Sequence, residues 1–320
     1  MRRNREQKKG ALPKNDMFKL PGLPTSQAEC HELADFAELL AWHRDSVSSR
    51  EIVAYLGRVD ENDHNIGCDD NDDEHATDLD EVMNEIERRS SACGSGYPFV
   101  LRYEGTVLRH SVESVDQASV IYRYLLLCTR LNMKSSRIHA ELDGAALFEE
   151  VSAEILRCYL GTGRARSIVF GTATVGPFED KVNRLCEEVG EGGFFRALDP
   201  TCDANDDKLD TVTWLPFSDK TPCQLVLFSQ CKTSSNWAGL TTQLQPDGFI
   251  KRWMNTPYLL DPIRAFCVSE AANRAKWSLS VYAGLLFDRC RLVDFCGGID
   301  TSVIEKVKTW CAAAKSTIQL

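Results

Sequence analysis

The stretch DDKLDTVTW (206–214), continued by LPFSDKTPC (215–223) and QLVLFSQCK (224–232), decides how this chain is read. Leu209 to Trp214 alternates in the manner of a strand, and Gln224 to Cys231 is a second, more apolar strand. The polar turn PFSDKTP between them makes the pair a hairpin. Side chains alternate along a strand, so Gln230 and Lys232 share one face and Cys231 points to the other. Asp210 opens the neighbouring strand and reaches the same patch. A carboxylate, an amide oxygen and an ammonium are thus expected to converge at the edge of a small sheet.

That set suits phosphodiester hydrolysis. Mg²⁺ takes oxygen ligands and keeps several waters, so one or two protein oxygens plus a substrate phosphate suffice. The metal stabilises charge growing on the phosphate and acidifies a water. A lysine beside that water orients it and screens the developing charge. Each residue also has a plainer reading: Asp210 as a strand start, Lys232 as a solvated strand end, Asp207 as loop. Their convergence is what favours a site.

The flanks extend the pattern outward. PFEDKVNRLCEEV (177–189) reads as a helix, with Pro177 suited to its first turn and Gly190 to its end. Ser167 to Phe170 is strand-like, FFRAL (194–198) is a short strand, 236–256 is helical, and RAFCVSE (264–270) returns to strand. The order from 177 is helix, strand, strand, strand, helix, strand. Beyond lie Trp277 to Phe287, a strand at Leu292–Phe295 and a final helix near 301–314. Before the shift at Gly161-Thr162-Gly163, residues 23–162 read as a mostly helical domain. Ser26 and Glu29 make a capping box for a helix over 26–44, and Ser48 and Glu51 repeat it before Ile52. A helix bears Leu79, Val82, Met83 and Ile86, Tyr97 to His110 is a hairpin, and helices span 114–131 and 144–160. The fold class expected is α+β: this helical domain followed by an α/β domain over 163–320.

Composition bounds the function. At 320 residues two domains are the default, and 43% hydrophobic with 26% charged residues supplies a real core. No continuous apolar run is long enough for a membrane span, so no membrane partner is expected. The start MRRNREQKKG is basic without an apolar region, so residues 1–22 read as a disordered basic tail and not as a secretory signal. Thirteen cysteines, an odd number with no C-x-x-C, suit buried thiols in a reducing, cytoplasmic setting. All six histidines precede residue 140, so the C-terminal half is expected to work without histidine as base or zinc ligand. The net charge is −10, yet residues 60–81 hold eleven Asp and Glu and no Lys or Arg, and the rest of the chain sums to +1. A basic groove elsewhere is therefore compatible with the balance. The acidic segment reads as a loop, either solvated or lying in that groove as a phosphate mimic. Glu74 stands where a calcium-binding loop needs glycine, and neither glycine cluster, 161–163 or 190–193, carries the GK[ST] of a phosphate loop. Trp237 suits a core position better than a base-stacking one, and Arg289 with Arg291 reads as a surface pair before a phosphate contact.

Asp210, the Q-x-K of Gln230-Cys231-Lys232 and the helix beginning Phe178-Glu179 resemble the PD-(D/E)xK restriction-endonuclease-like superfamily. The nearest likeness is to its Mrr-like branch, where Q-x-K replaces the commoner E-x-K, often with Cys between. The resemblance covers residues 178–270. It implies an αβββαβ restriction-endonuclease-like core and an endonuclease using Mg²⁺ or Mn²⁺. Asp210 would be the main metal ligand, Gln230 the second, Lys232 the catalytic lysine and Glu179 a helix-borne accessory acid. It further implies DNA rather than RNA as substrate, a role in prokaryotic restriction or antiviral defence, oligomeric assembly, and partner subunits supplying recognition or a motor. Two alternatives stand beside it. One is a catalytically silent relative that binds nucleic acid or scaffolds a complex. The other is an interaction protein working through its acidic loop and helical domain.

Overall fold

Capping and apolar spacing set the N-terminal elements of the computed structural model, which describes residues 18–25, 28–60, 71–111, 116–171, 174–198, 206–318 and 320. They are α1 (Cys30–Arg44), β1 (Ser46–Ser48), α2 (Ser49–Asp60), α3 (Asn71–Cys93), β2 (Phe99–Arg102), β3 (Val107–His110), α4 (Gln117–Arg130), β4 (Ile138–His139), β5 (Leu142–Asp143) and α5 (Gly144–Gly161). The Ser48–Glu51 box forms as expected: each side chain accepts the other's backbone N–H, at 3.3 and 2.8 Å. The first box is displaced. Glu29, not Ser26, caps α1, in a reciprocal pair with Glu32, and Ser26 lies outside the described residues. The expected hairpin over 97–110 is present as β2 and β3, with β1 added against β3.

Two expectations are corrected here. The acidic segment is not loop throughout, because α3 begins at Asn71. The partial positive charge of a helix N-terminus accommodates a dense acidic run, and Val82 and Ile86, fully buried, anchor the helix further on. Residues 61–70 lie outside the described residues. The basic tail ends before residue 18: Phe18 and Leu20 are buried, and Leu20 N–H donates to Arg130 O at 2.8 Å. Residues 1–17 lie outside the described residues.

The C-terminal elements are β6 (Arg166–Val169), α6 (Phe178–Val189), β7 (Thr211–Leu215), β8 (Leu225–Lys232), α7 (Pro246–Trp253), β9 (Ile263–Val268), α8 (Ser280–Ala283), β10 (Leu285–Phe287), α9 (Arg289–Asp294) and α10 (Thr301–Ser316). They build a five-stranded sheet in the order β10-β9-β8-β7-β6. The β7–β8 hairpin forms as read, with Thr211 opposite Ser229 and Trp214 opposite Val226. Strands β6, β7 and β8 are antiparallel, while β8, β9 and β10 are parallel, which requires a crossover such as that carried by α7.

The order of elements departs from the αβββαβ expected from residue 177. FFRAL is not a strand of the sheet; Phe195 makes one isolated bridge to Met254, and Arg196 and Leu198 N–H donate to the carbonyls ending α7. Phe195 stacks on Trp253, so ring packing against α7 takes this segment away from the sheet. The third antiparallel strand is β6, which precedes α6. The expected helix over 236–256 shrinks to a 3₁₀ turn at Ala238–Leu240 and α7, with Pro246 at the helix start. Leu292–Phe295 is not a strand: Asp288 caps α9 by accepting Arg291 N–H.

Helices cover both faces of the sheet. On one face, Val212, Trp214, Val226 and Phe228 pack against Val182 and Leu185 of α6 and Phe249 and Trp253 of α7. On the other, Leu227, Cys231 and Cys267 join an apolar cluster that includes α1, α4, α5 and α10. That cluster contains residues from both sides of the expected boundary at 162/163. The apolar faces of α4 and α5 are covered from across the chain, by α10 on both and α9 on α4.

A buried charge network ties the N-terminal helices to the start of α9. Asp35 accepts from Arg89, Arg130 and Arg289 at 2.6–2.7 Å, and all four side chains are fully buried. Burial pushes the Asp35 carboxyl up, but the three guanidinium groups outweigh it and hold the carboxyl well below its usual range. Glu38 takes bonds from Arg89, Tyr97 and Tyr122. The surface reading of Arg289 is thereby overturned, because its counter-charges are buried with it. Arg291 is exposed, as its surface reading required, donates to Leu286 O and lies over the Trp277 ring. Helix and strand are both abundant, so the α+β class holds.

Candidate functional site

Asp210 stands where the chain enters β7, beside the last residues of β8. Its own N–H donates to Ser229 O at 2.9 Å, and its carbonyl accepts from Phe170 and Gly171. The carboxylate Oδ2 accepts the Cys231 N–H at 2.7 Å, and Lys232 Nζ lies 4.0 Å from the same oxygen. Asp210 is buried and Lys232 is about a quarter exposed. The site thus opens on the lysine side and closes on the carboxylate side. Burial pushes the Asp210 carboxyl up to about 7; Lys232 opposes this and the charge of Glu149 adds to it.

Glu149 comes from α5, on the other side of the expected boundary. A Cβ added to Gly171 would sit 2.6 Å from Glu149 Oε2 and 3.1 Å from Asp210 Cα, so glycine lets the acid and the strand close together. Lys181 of α6 donates to Gly171 O at 3.0 Å, which brings a second ammonium to this corner. Gln230 is fully buried on β8. Its Nε2 donates to Gln243 Oε1 at 3.2 Å, while its own Oε1 has no hydrogen-bond partner among the described residues.

The structure thus brings Asp210 and Lys232 together as expected and places Gln230 two residues back on the same strand. It does not bring Glu179 to them in any contact among the described residues. Glu179 is exposed in the first turn of α6, where an acid suits the helix dipole. The helix-borne acid beside Asp210 is Glu149. Its signal lay in the sequence as an acid at helical spacing, three and seven residues, before the buried positions Ser152 and Leu156. Asp207 is structural, as read: it accepts from Arg252 and from Trp253 Nε1, which pins a turn where Asp207 and Lys208 adopt positive φ. Trp237 is fully buried, as its core reading required, and donates to Glu270. Histidine does reach the C-terminal half, though not this corner: His31 Nε2 lies 2.9 Å from Glu270 Oε1.

The ligand atoms on offer are oxygens: the carboxylates of Asp210 and Glu149, and on β8 the buried amide oxygen of Gln230, which has no partner among the described residues. That chemistry fits a hard divalent cation such as Mg²⁺ or Mn²⁺. Among the described residues no three His, Cys, Asp or Glu side chains group to hold a metal, so any such ion would take much of its shell from water and substrate. No described helix is long and apolar enough to cross a membrane. Comparison with protein-family models, curated proteins and solved structures finds no match to this chain.

Proposed function

We propose that the chain is a metal-dependent endonuclease acting on nucleic acid phosphodiesters, with DNA as the preferred substrate. The observation that carries this reading is the Asp210–Lys232 pair, 4.0 Å apart, with the lysine partly exposed beside a buried carboxylate. Asp210 and Gln230 would hold Mg²⁺ or Mn²⁺, with Glu149 in the accessory role first given to Glu179. The ion supplies charge neutralisation at the phosphate and acidifies a water. Lys232 orients the attacking water and screens charge on the phosphate, and its partial exposure gives substrate access. The buried carboxylates of Asp210 and Glu149 repel each other, which favours capture of a cation between them. A role in restriction or antiviral defence, within an oligomer or alongside partner subunits, is proposed on the resemblance of the Q-x-K hairpin.

The test is incubation of the full chain with plasmid and Mg²⁺ or Mn²⁺, with and without EDTA, beside Lys232→Ala. Metal-dependent cutting lost by ~10²-fold or more in the variant supports the reading; equal cutting by the variant refutes the site.

One observation favours a second reading, a silent relative that binds nucleic acid. Oδ2 of Asp210 already accepts the Cys231 N–H, so this carboxylate also serves the hairpin, and the Gln230 amide already donates to Gln243. Mn²⁺ titration separates the two, since a silent site binds Mn²⁺ poorly.

A further inference from the structure

A cleft of about 790 Å³ opens at the other end of β7 from Asp210, between the start of β6, the C-terminal end of α6 and the turn after β7. Arg164, Arg166, Arg184 and Lys220 line it. None of the four makes an ion pair with a described residue. Glu187 and Glu188 line it as well, so the lining carries a net +2 in a chain whose formal charge is −10. Cations in excess of the nearby acids raise the local potential and attract polyanions.

The turn supplies a second, independent feature. Arg164 Nη2 donates to Pro216 O at 3.4 Å and Ser218 Oγ at 3.1 Å, so the turn is held against the cleft wall. Phe217, between those two residues, is 51% exposed and lines the same cleft. A large aromatic held open to solvent beside unpaired arginines is what binds unstacked bases: the cations follow the backbone and the ring takes a base face. A duplex keeps its bases stacked and offers such a ring nothing.

We infer that this cleft is a docking site for a single-stranded segment of nucleic acid, with Arg164, Arg166 and Arg184 on its phosphates and Phe217 stacked on a base. The choice of polyanion rests on the nuclease reading. Trp214 of the cleft lies four residue steps along extended chain from Asp210, a span of ~13 Å. The cleft therefore holds the strand away from the reacting corner.

The test is fluorescence anisotropy with a labelled 20-nucleotide oligo-dT and a duplex of equal length, in EDTA, across a salt series. Wild type is compared with Phe217→Ala and with a triple variant in which Arg164, Arg166 and Arg184 become Gln; all four residues are solvent-exposed. For oligo-dT, the triple variant should lower the slope of log affinity against log salt by ~2, at ~0.7 per phosphate contact. Phe217→Ala should weaken oligo-dT by ~5- to 100-fold with little change in slope. Failure of wild type to bind oligo-dT, unchanged affinity and slope in both variants, or equal loss on duplex with Phe217→Ala overturns the inference. Because no cutting is measured, a chain that binds here and never cuts loses the nuclease reading and keeps this one. A chain that cuts while its cleft variants bind like wild type does the reverse.

Discussion

Replacing Asp35 with Asn perturbs the centre of the buried charge network while keeping its shape. The Asp35 carboxylate accepts from Arg89 Nη1, Arg130 Nε and both terminal nitrogens of Arg289, at 2.6–3.1 Å, with no exposure on any partner. Asparagine keeps one acceptor oxygen, turns an NH₂ towards a guanidinium and removes the charge that three arginines face. Breaking one buried pair by removing a partner costs ~3–5 kcal/mol. The loss is not three times this, because Glu38 remains beside Arg89 and Arg289, and Glu32 beside Arg130. A loss of ~4 kcal/mol is therefore expected, a large part of the ~5–15 kcal/mol that holds a typical domain. The assay is urea unfolding followed by circular dichroism. With a denaturant slope of ~3 kcal/mol/M, the midpoint should fall by more than ~1 M. The double variant with Arg289→Met should be less destabilised than the sum of the singles, by ~1–3 kcal/mol of coupling. A midpoint shift in Asp35→Asn below ~0.3 M would refute the claim that these charges are buried and mutually compensated. The pH dependence has a fixed sign. Because the folded carboxyl sits below its unfolded value, its stabilisation is full above the unfolded pKa of ~4. It is lost as pH falls through the lower folded value. Wild type should therefore lose stability below about pH 4 more steeply than Asp35→Asn.

The site makes its own predictions. Glu149→Gln should lower Mn²⁺ affinity and cutting by ~10-fold or more, while Glu179→Gln leaves both within ~2-fold; the reverse ranking, by calorimetry and plasmid cleavage, would return the accessory role to α6. Asp210→Asn should abolish Mn²⁺ binding, and Asp207→Asn should keep it while lowering thermal stability through the lost Arg252 and Trp253 bonds; equal Mn²⁺ binding in wild type and Asp210→Asn rejects the ligand assignment. Gln230→Glu should preserve or raise Mn²⁺ affinity, and a fall would show that the Gln243 bond, not a ligand role, fixes this residue. Burial, with Arg123 and Lys315, lowers the His110 imidazole to about 4, so protonation favours the unfolded chain. Unfolding free energy should drop by roughly 1–2 kcal/mol as pH falls from 6.5 towards 4, and His110→Gln should flatten that slope.

The hairpin was legible in the sequence because everything that makes it is local. Alternation from Leu209 to Trp214, a polar turn and a second apolar run fix a register over a short span, and register alone carries Asp210 to the end of β8 near Lys232. The same holds for the Ser48–Glu51 box and for α4 and α5, whose apolar faces are written at helical spacing. Periodicity says that a face is buried and not what buries it. Nothing near Glu149 tells that Gly171 lets it close on Asp210, and nothing near FFRAL tells that Trp253 will draw Phe195 off the sheet and leave the edge to β6. Arg289 reads as surface in the sequence, and burying a guanidinium requires a counter-charge. Its acceptor Asp35 lies 254 residues away, and only the folded chain delivers a counter-charge over that separation. Local pattern thus determined the β7–β8 hairpin and which residues it carries. Tertiary packing decided which acid joins Asp210, which strand lies beside β7 and which charges go inside, because each depends on desolvation shared between groups distant in sequence.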